Sequence, residues 1–286
     1  MSDASSGASS GAPSDVPSGV ARAAGRLLLL GCGKMGGAML EGWLAAGLAP
    51  ASVQVIEPRP TERLEALAGA GLVLNPAAPA RPDVAVLAVK PQMMAEAAPA
   101  LAGFGGGGTL IVSIAAGTPI ARFEALFGPG TPVVRAMPNT PAAVARGITA
   151  IVANATAGAA GLDRAEALLA VVGEVVRLGA EAEMDAVTGL SGSGPAYVFH
   201  LIEALAAAGE AEGLAPDLAM RLARATVSGA GALAGASAET PETLRRNVTS
   251  PGGTTAAGLA VLMPALPDLM ARTVAAAAAR SRELAD

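Results

Sequence analysis

The sequence contains one cysteine, Cys32, and one histidine, His200. A single cysteine excludes an intrachain disulfide framework. A single histidine excludes Cys/His zinc sites and two-histidine metal motifs, so no metal centre is expected. Aromatic side chains make up only 2%, and the net charge is −5. The stacking platforms and basic surface of a nucleic-acid binder are therefore both missing. Lysine occurs only at Lys34 and Lys90. Chemistry in the second half must accordingly fall to hydroxyls, main-chain amides or carboxylates. Long bulky apolar runs are absent too. The charge-poor stretch from Gly147 to Leu162 is broken by Thr149, Asn154 and Thr156, and no membrane span is expected.

What remains is 286 residues, enough for one large domain or two ordinary ones. Residues Met1 to about Gly25 are rich in Ser, Gly, Ala and Pro. They offer too little apolar surface to offset the entropy of ordering, so residues 1–25 are expected to be a disordered tail. From Leu27 onward, short apolar runs alternate with helical stretches. Strands are predicted at Leu27–Leu30, Val53–Glu57, Leu72–Leu74, Val84–Val89, Leu110–Ile114, Val133–Ala136, Ile148–Val152 and Val175–Leu178. Helices are predicted between most of them, among them Met35–Ala46, Glu62–Ala68 and Leu162–Val172. Continuous apolar runs, rather than polar/apolar alternation, indicate a mostly parallel sheet covered on both faces: a Rossmann-like α/β domain over 26–181.

After about Glu181 no strand-like run returns. Helical segments are predicted at Pro195–Gly213, Asp217–Ala236, Pro241–Val248, Thr255–Leu262 and Pro267–Leu284. Residues 182–286 thus read as an all-α domain. Gly229, Gly231 and Gly235 each cost an isolated helix about 1 kcal/mol relative to alanine. They make sense where another helix approaches closely, which suggests completion by a second subunit.

Gly31-Cys-Gly33-Lys-Met-Gly36 follows the first strand and opens the first helix, the setting in which a G-x-G-x-x-G match signals a dinucleotide. Gly31 permits the tight turn, Gly33 lets backbone approach a pyrophosphate, and Gly36 allows close helix–sheet packing. Lys34 and Met35 open the helix whose free amides face the phosphates. Glu57 closes the second strand, where an acid binds the adenosine ribose and disfavours a 2′-phosphate. Arg59 could instead pair with that phosphate, so NADPH and NADH both stay open. Cys32 is either a thiol acidified by helix-end amides or a small space-filling residue.

Two further segments, Ser191-Gly-Ser-Gly-Pro195 and Ser250-Pro-Gly-Gly-Thr-Thr255, lead into helices. Such turns can gather N–H groups and hydroxyls around a small anion. With GCGKMGGAM (31–39), LAVKPQ (87–92), VSIAAG (112–117), RAMPNTPA (135–142), GLSGSGPAYVF (189–199) and NVTSPGGTTAAGL (247–259), the chain resembles the pyrroline-5-carboxylate reductases from about Leu27 to Leu284. The resemblance implies reduction of a cyclic imine to L-proline with NADPH or NADH. It further implies a cytoplasmic homodimer of intertwined helical domains, often assembled into decamers. By the same resemblance Thr255 is the residue whose hydroxyl bonds the ring nitrogen. Ser250, Gly252, Gly253 and Thr254 hold the substrate carboxylate, supported by Asn247. Asn75, Ala88, Val89, Lys90, Pro91, Met137, Pro138 and Asn139 line the cofactor. His200 reads as a lone helix histidine, and Tyr197 as a packing residue with a hydrogen-bonding tip. Two rivals stand beside this reading: a β-hydroxyacid dehydrogenase, whose chemistry needs a lysine in the second domain, and a non-catalytic NAD(P)-binding sensor.

Overall fold

The computed structural model describes residues 19–97, 101 and 103–284. The expected disordered tail is corrected at its end: Gly19–Ala24 form a short helix, α1. Ala23 and Ala24 are buried, and Arg164 Nε donates to the Ala23 carbonyl at 2.9 Å. Tertiary contact orders a segment whose composition alone could not. Residues 1–18 of that tail lie outside the described residues.

The strands are β1 (Leu27–Leu30), β2 (Val53–Ile56), β3 (Val73–Leu74), β4 (Val84–Leu87), β5 (Leu110–Ser113), β6 (Val133–Met137), β7 (Gly147–Ala153) and β8 (Gly173–Arg177). They form a single sheet in the order β3-β2-β1-β4-β5-β6-β7-β8. All pairs are parallel except β6–β7. Between those two strands lies only the tight turn Thr140–Val144, too short for a crossover. The chain order reverses between β1 and β4, and open α/β sheets bind ligands at the carboxyl ends beside such a switch.

Around the sheet lie α2 (Lys34–Ala45), α3 (Glu62–Gly69), α4 (Met94–Ala97), α5 (Ile120–Phe127) and α6 (Gly158–Leu169). The four leucines of β1 show why its apolar run is unbroken. Leu27 and Leu29 pack with Trp43 and Leu168 on one face, while Leu28 and Leu30 pack with Phe123 and Phe127 on the other. Trp43, fully buried, also donates its indole N–H to the Leu168 carbonyl at 2.7 Å. Leu168 sits in the last turn of α6, where carbonyls run out of intrahelical donors.

The second half contains α7 (Met184–Val187), α8 (Gly194–Ala211), α9 (Pro216–Ala236), α10 (Pro241–Asn247) and α11 (Thr254–Glu283). The two helices expected over 255–262 and 267–284 are one, running through Pro264 and Pro267. Each proline removes one intrahelical donor, and Ala260 and Met263, whose carbonyls lose it, are exposed residues. Buried residues are few in these helices: Met184, Ala206, Ala219, Ala223, Ala278 and Ser281. Large apolar side chains stand exposed instead, including Phe199 at 59% and Val261 at 78%. The glycines expected at a close helix contact, Gly229, Gly231 and Gly235, face open space in the single chain. α11 is also long and apolar enough to cross a membrane, a feature not expected from the sequence.

Trp43→Phe should lower unfolding free energy by about 1–3 kcal/mol, because the Leu168 carbonyl stays buried without its donor. Denaturant unfolding followed by far-ultraviolet circular dichroism measures this. A loss below about 0.3 kcal/mol would show that the hydrogen bond contributes nothing.

Candidate active site

At the switch between β1 and β4, the backbone turns sharply at Gly31, whose φ is +87°. A Cβ there would come within 2.8 Å of Val89 Cγ1, and one at Gly36 would collide with the Gly31 carbonyl oxygen. Gly33 differs: an added Cβ would meet nothing within 4 Å. The protein itself does not need that position bare, so the space is open to a ligand. Gly33 caps α2 without a side-chain hydrogen bond, and the first turn has no acidic residue. Lys34 and Met35 follow at the helix start, Lys34 exposed. Unsatisfied amides, an open approach and a nearby cation fit a pyrophosphate. Ala88 backs the loop, its amide bonded to the Leu30 carbonyl at 2.8 Å. Val89, Lys90 and Pro91 continue from it along the same crevice edge.

Glu57 reaches across the mouth of this loop. Its Oε2 accepts from the Cys32 amide at 2.8 Å and its Oε1 from the Arg59 amide at 3.1 Å. Asn75, at φ 47°, clamps the Glu57 backbone from below: Oδ1 accepts its N–H and Nδ2 donates to its carbonyl, both at 2.9 Å. Asn75 therefore acts through Glu57, holding its carboxylate beside the loop. The acidified-thiol reading of Cys32 is overturned. Burial first, then the charges of Glu57 and Glu41, push its pKa up to about 11. The space-filling reading stands. Glu41 itself is held below the usual carboxylate range by its hydrogen bonds to Arg63, at 2.7 and 2.9 Å.

Met137, Pro138 and Asn139 lie at the carboxyl end of β6. Asn139 Oδ1 accepts from the Ile148 amide at 3.0 Å, while its Nδ2 donates to the Ser191 carbonyl at 3.2 Å. Arg135, two residues into the strand from Met137, is buried and bonds Glu181 at 2.8 Å. Glu181 Oε1 also accepts from the Ile120 amide at 2.8 Å. The sequence reading missed the Arg135–Glu181 pair. A lone cation inside the apolar run 133–137 was the signal for it.

The second group of residues forms its own cluster. Gly252 takes a φ of +69°, and the Gly253 amide bonds the Ser250 carbonyl at 3.0 Å, closing a tight turn at the start of α11. A side chain at Gly253 would strike Ser250 Oγ. Ser250, Thr254 and Thr255 are exposed, and among the described residues none of their hydroxyls bonds to protein. Asn247 donates to Glu239 at 3.1 Å and not to the turn it was expected to support. Every hydrogen bond of the 247–255 segment among the described residues is local. One chain thus assembles the dinucleotide group and the turn separately. His200 pairs with Glu203 at 2.9 Å on an open helix face, its side chain 81% exposed. Tyr197 packs with its hydroxyl on the Gly189 carbonyl at 3.1 Å, as expected of a packing residue with a polar tip.

A doubly wound sheet with a bare phosphate loop, joined to helices that expose their apolar faces, defines a dinucleotide-dependent oxidoreductase with a domain built for pairing. Comparison with known proteins narrows this. Residues 181–284 match the family described as pyrroline-5-carboxylate reductase dimerisation, and residues 26–117 match NADP oxidoreductase, coenzyme F420-dependent. A pyrroline-5-carboxylate reductase of Pseudomonas aeruginosa is 42% identical over 266 residues, 91% of this chain and 97% of that protein. The solved structure of such a reductase from Coxiella burnetii superposes with a TM-score of 0.84 at 33% identity, covering 92% of this chain and 99% of that one. One from Plasmodium falciparum, with NADP bound, gives a TM-score of 0.76 at 26% identity, covering 91% and 98%. The chain belongs to the pyrroline-5-carboxylate reductase family, and is an NAD(P)H-dependent oxidoreductase.

The buried Cys32 thiol should resist iodoacetamide near neutrality. Its alkylation rate should be slow at pH 7, rise about tenfold per pH unit, and level off only near the thiol's pKa of about 11, because the thiolate is the nucleophile. Mass spectrometry of modified protein measures this. A rate already level by pH 8 would contradict the assigned environment.

Proposed function

We propose that this protein reduces Δ1-pyrroline-5-carboxylate to L-proline, working as a homodimer in the cytoplasm. The carrying observation is the turn at the head of α11: three unengaged hydroxyls and first-turn amides, with no lysine in that half of the chain. The division of labour falls near residue 181, with the coenzyme domain at 26–181 and the substrate and pairing domain at 182–286; α1 joins the former.

In this reading Gly31, Gly33, Lys34, Met35 and Gly36 receive the pyrophosphate. Glu57, braced by Asn75, faces the adenosine ribose, and Arg59 flanks it. Ala88–Pro91, Met137, Pro138 and the backbone of Asn139 line the nicotinamide side, the Asn139 side chain being held by Ser191 and Ile148. When bound, the dinucleotide supplies the hydride that adds to the carbon of the C=N bond. Ser250, Gly252, Gly253 and Thr254 hold the substrate carboxylate with neutral donors, which avoids fixing a cation beside the developing amine. The Thr255 hydroxyl bonds the ring nitrogen, and the proton that activates the imine arrives with the substrate. Proximity then supplies much of the acceleration, up to roughly 7–11 kcal/mol in favourable systems. Asn247 acts on the turn at one remove, through Glu239 and α10.

The turn's bonds are all local, which supports a site completed when two copies bring a turn and a dinucleotide crevice together. The exposed apolar faces of α8, α9 and α11 then become the contact between copies, and decamers are the larger assembly. This also accounts for α11 without a bilayer. Its exposed alanine-rich face is interrupted by Pro264 and Pro267 and lies within the match to the dimerisation family. A β-hydroxyacid dehydrogenase would need a lysine after Lys90, and the sequence has none there.

Purified protein should oxidise NAD(P)H when given pyrroline-5-carboxylate, and Thr255→Ala should lower kcat about 10- to 100-fold with coenzyme affinity little changed. Coenzyme binding without oxidation would favour the sensor reading, and unchanged turnover in the variant would remove Thr255 from its role. Glu57→Ser should shift relative kcat/KM toward NADPH by about tenfold or more. An unchanged NADPH/NADH ratio would mean that Glu57 does not face the ribose.

A further inference from the structure

Arg135, Met137 and Asn139 occupy alternate positions along β6 and its extended continuation, so they fall on one face of the chain. Each ends on the segment from Glu181 to Gly192 that joins the two domains. Arg135 bonds Glu181 at 2.8 Å. Met137 Cε fills the space beside Gly192, where an added Cβ would stand 2.5 Å from it. Asn139 donates to the Ser191 carbonyl at 3.2 Å, and its other amide atom is already held by Ile148. Among the described residues, no other hydrogen bond links the coenzyme domain to anything beyond the linker at Glu181–Glu183.

The receiving segment, Thr188–Gly192, is itself unusual. It is a widened helical turn, closed by a bond from the Ser193 amide to the Thr188 carbonyl at 2.9 Å, five residues apart. Widened turns interrupt the regular ladder and occur often at functional sites. Two carbonyls of this turn are held by side chains from outside it: Gly189 by Tyr197 Oη at 3.1 Å, and Ser191 by Asn139. From behind, α11 presses on Gly189, where a Cβ would meet the Val274 carbonyl oxygen at 2.8 Å.

We infer that Asn139 and Tyr197 are positioning residues that fix the widened turn, and with it the Ser191–Pro195 segment opening α8, against the carboxyl end of β6. The side-chain amide of Asn139 serves this alignment rather than coenzyme affinity. The kinetic consequence rests on the reductase reading, since a shift of about 1 Å in an aligned site can cost about 100-fold in rate. The structural consequence does not rest on it.

The test uses full-length Asn139→Asp and Tyr197→Phe. Aspartate keeps an acceptor for the Ile148 amide but cannot donate to Ser191; phenylalanine keeps the ring and loses only the hydroxyl. Hydrogen exchange of the coenzyme-free protein should show the 188–194 amides exchanging about 10-fold faster or more in Asn139→Asp, with peptides from β1 to β5 unchanged. Tyr197→Phe should move the same amides in the same direction. The NADPH dissociation constant should stay within about threefold, while turnover of pyrroline-5-carboxylate falls about 10- to 100-fold in Asn139→Asp. Exchange at 188–194 equal to the unmodified protein in both variants would overturn the inference. So would coenzyme affinity falling in step with turnover, which would make the Asn139 side chain a coenzyme contact. Failure of the unmodified protein to turn over this substrate would count against the proposed function alone, leaving the exchange and coenzyme-affinity results to decide the inference.

Discussion

The amides at the start of α2 can meet an anion because the backbone there is bare. Gly31 adopts a left-handed conformation against Val89, Gly36 lies against the Gly31 carbonyl, and Gly33 leaves its approach open. This loop sits between β1 and β4, where the sheet order reverses and a crevice forms at the strand ends. Around it the protein places few charges of its own. Glu57 caps one end, held by the Cys32 and Arg59 amides, and the Asn75 clamp keeps it there. Cys32 remains a neutral thiol in this setting, so it adds no anion to the Glu57 and Glu41 carboxylates beside the loop.

The helical half follows a different constraint. A chain of this composition has few aromatics and many alanines, so its helices bury little within one copy. Ala219 packs against Gly209, yet Phe199, Leu233 and Val261 stay exposed. Such a surface is stable in water when an equal surface covers it, which is what a dimerisation domain provides. The same arrangement explains why the turn before α11 leaves its hydroxyls unused in the single chain. In the proposed reading the turn and the coenzyme crevice meet through association, and β6 contacts the start of the helical domain through Arg135 and Asn139.

Local signals in the sequence were enough for the sheet and its phosphate loop. Strands covered on both faces read as unbroken apolar runs, and their observed ends differ from expectation by a residue or two. The glycine motif was equally local, because turn, helix start and close packing fall within six residues. Features that depend on distant partners did not show. α1 is ordered by α6, which lies more than a hundred residues away. The Arg135–Glu181 and Asn139–Ser191 bonds span 46 and 52 residues. Two helices were expected over 255–262 and 267–284, but α11 runs unbroken through Pro264 and Pro267. Gly229, Gly231 and Gly235 pointed to a close helix partner that a single chain does not supply.

The central claim is that a carbon–nitrogen double bond is reduced where the turn at Ser250–Thr255 meets a dinucleotide crevice. A crystal structure of the protein with oxidised nicotinamide dinucleotide and L-proline tests it most directly. The account predicts a dimer in which the proline carboxylate lies within hydrogen-bonding distance of the turn. The ring carbon next to nitrogen should stand about 3–3.5 Å from nicotinamide C4. A turn remote from the nicotinamide in every pair of subunits would contradict it.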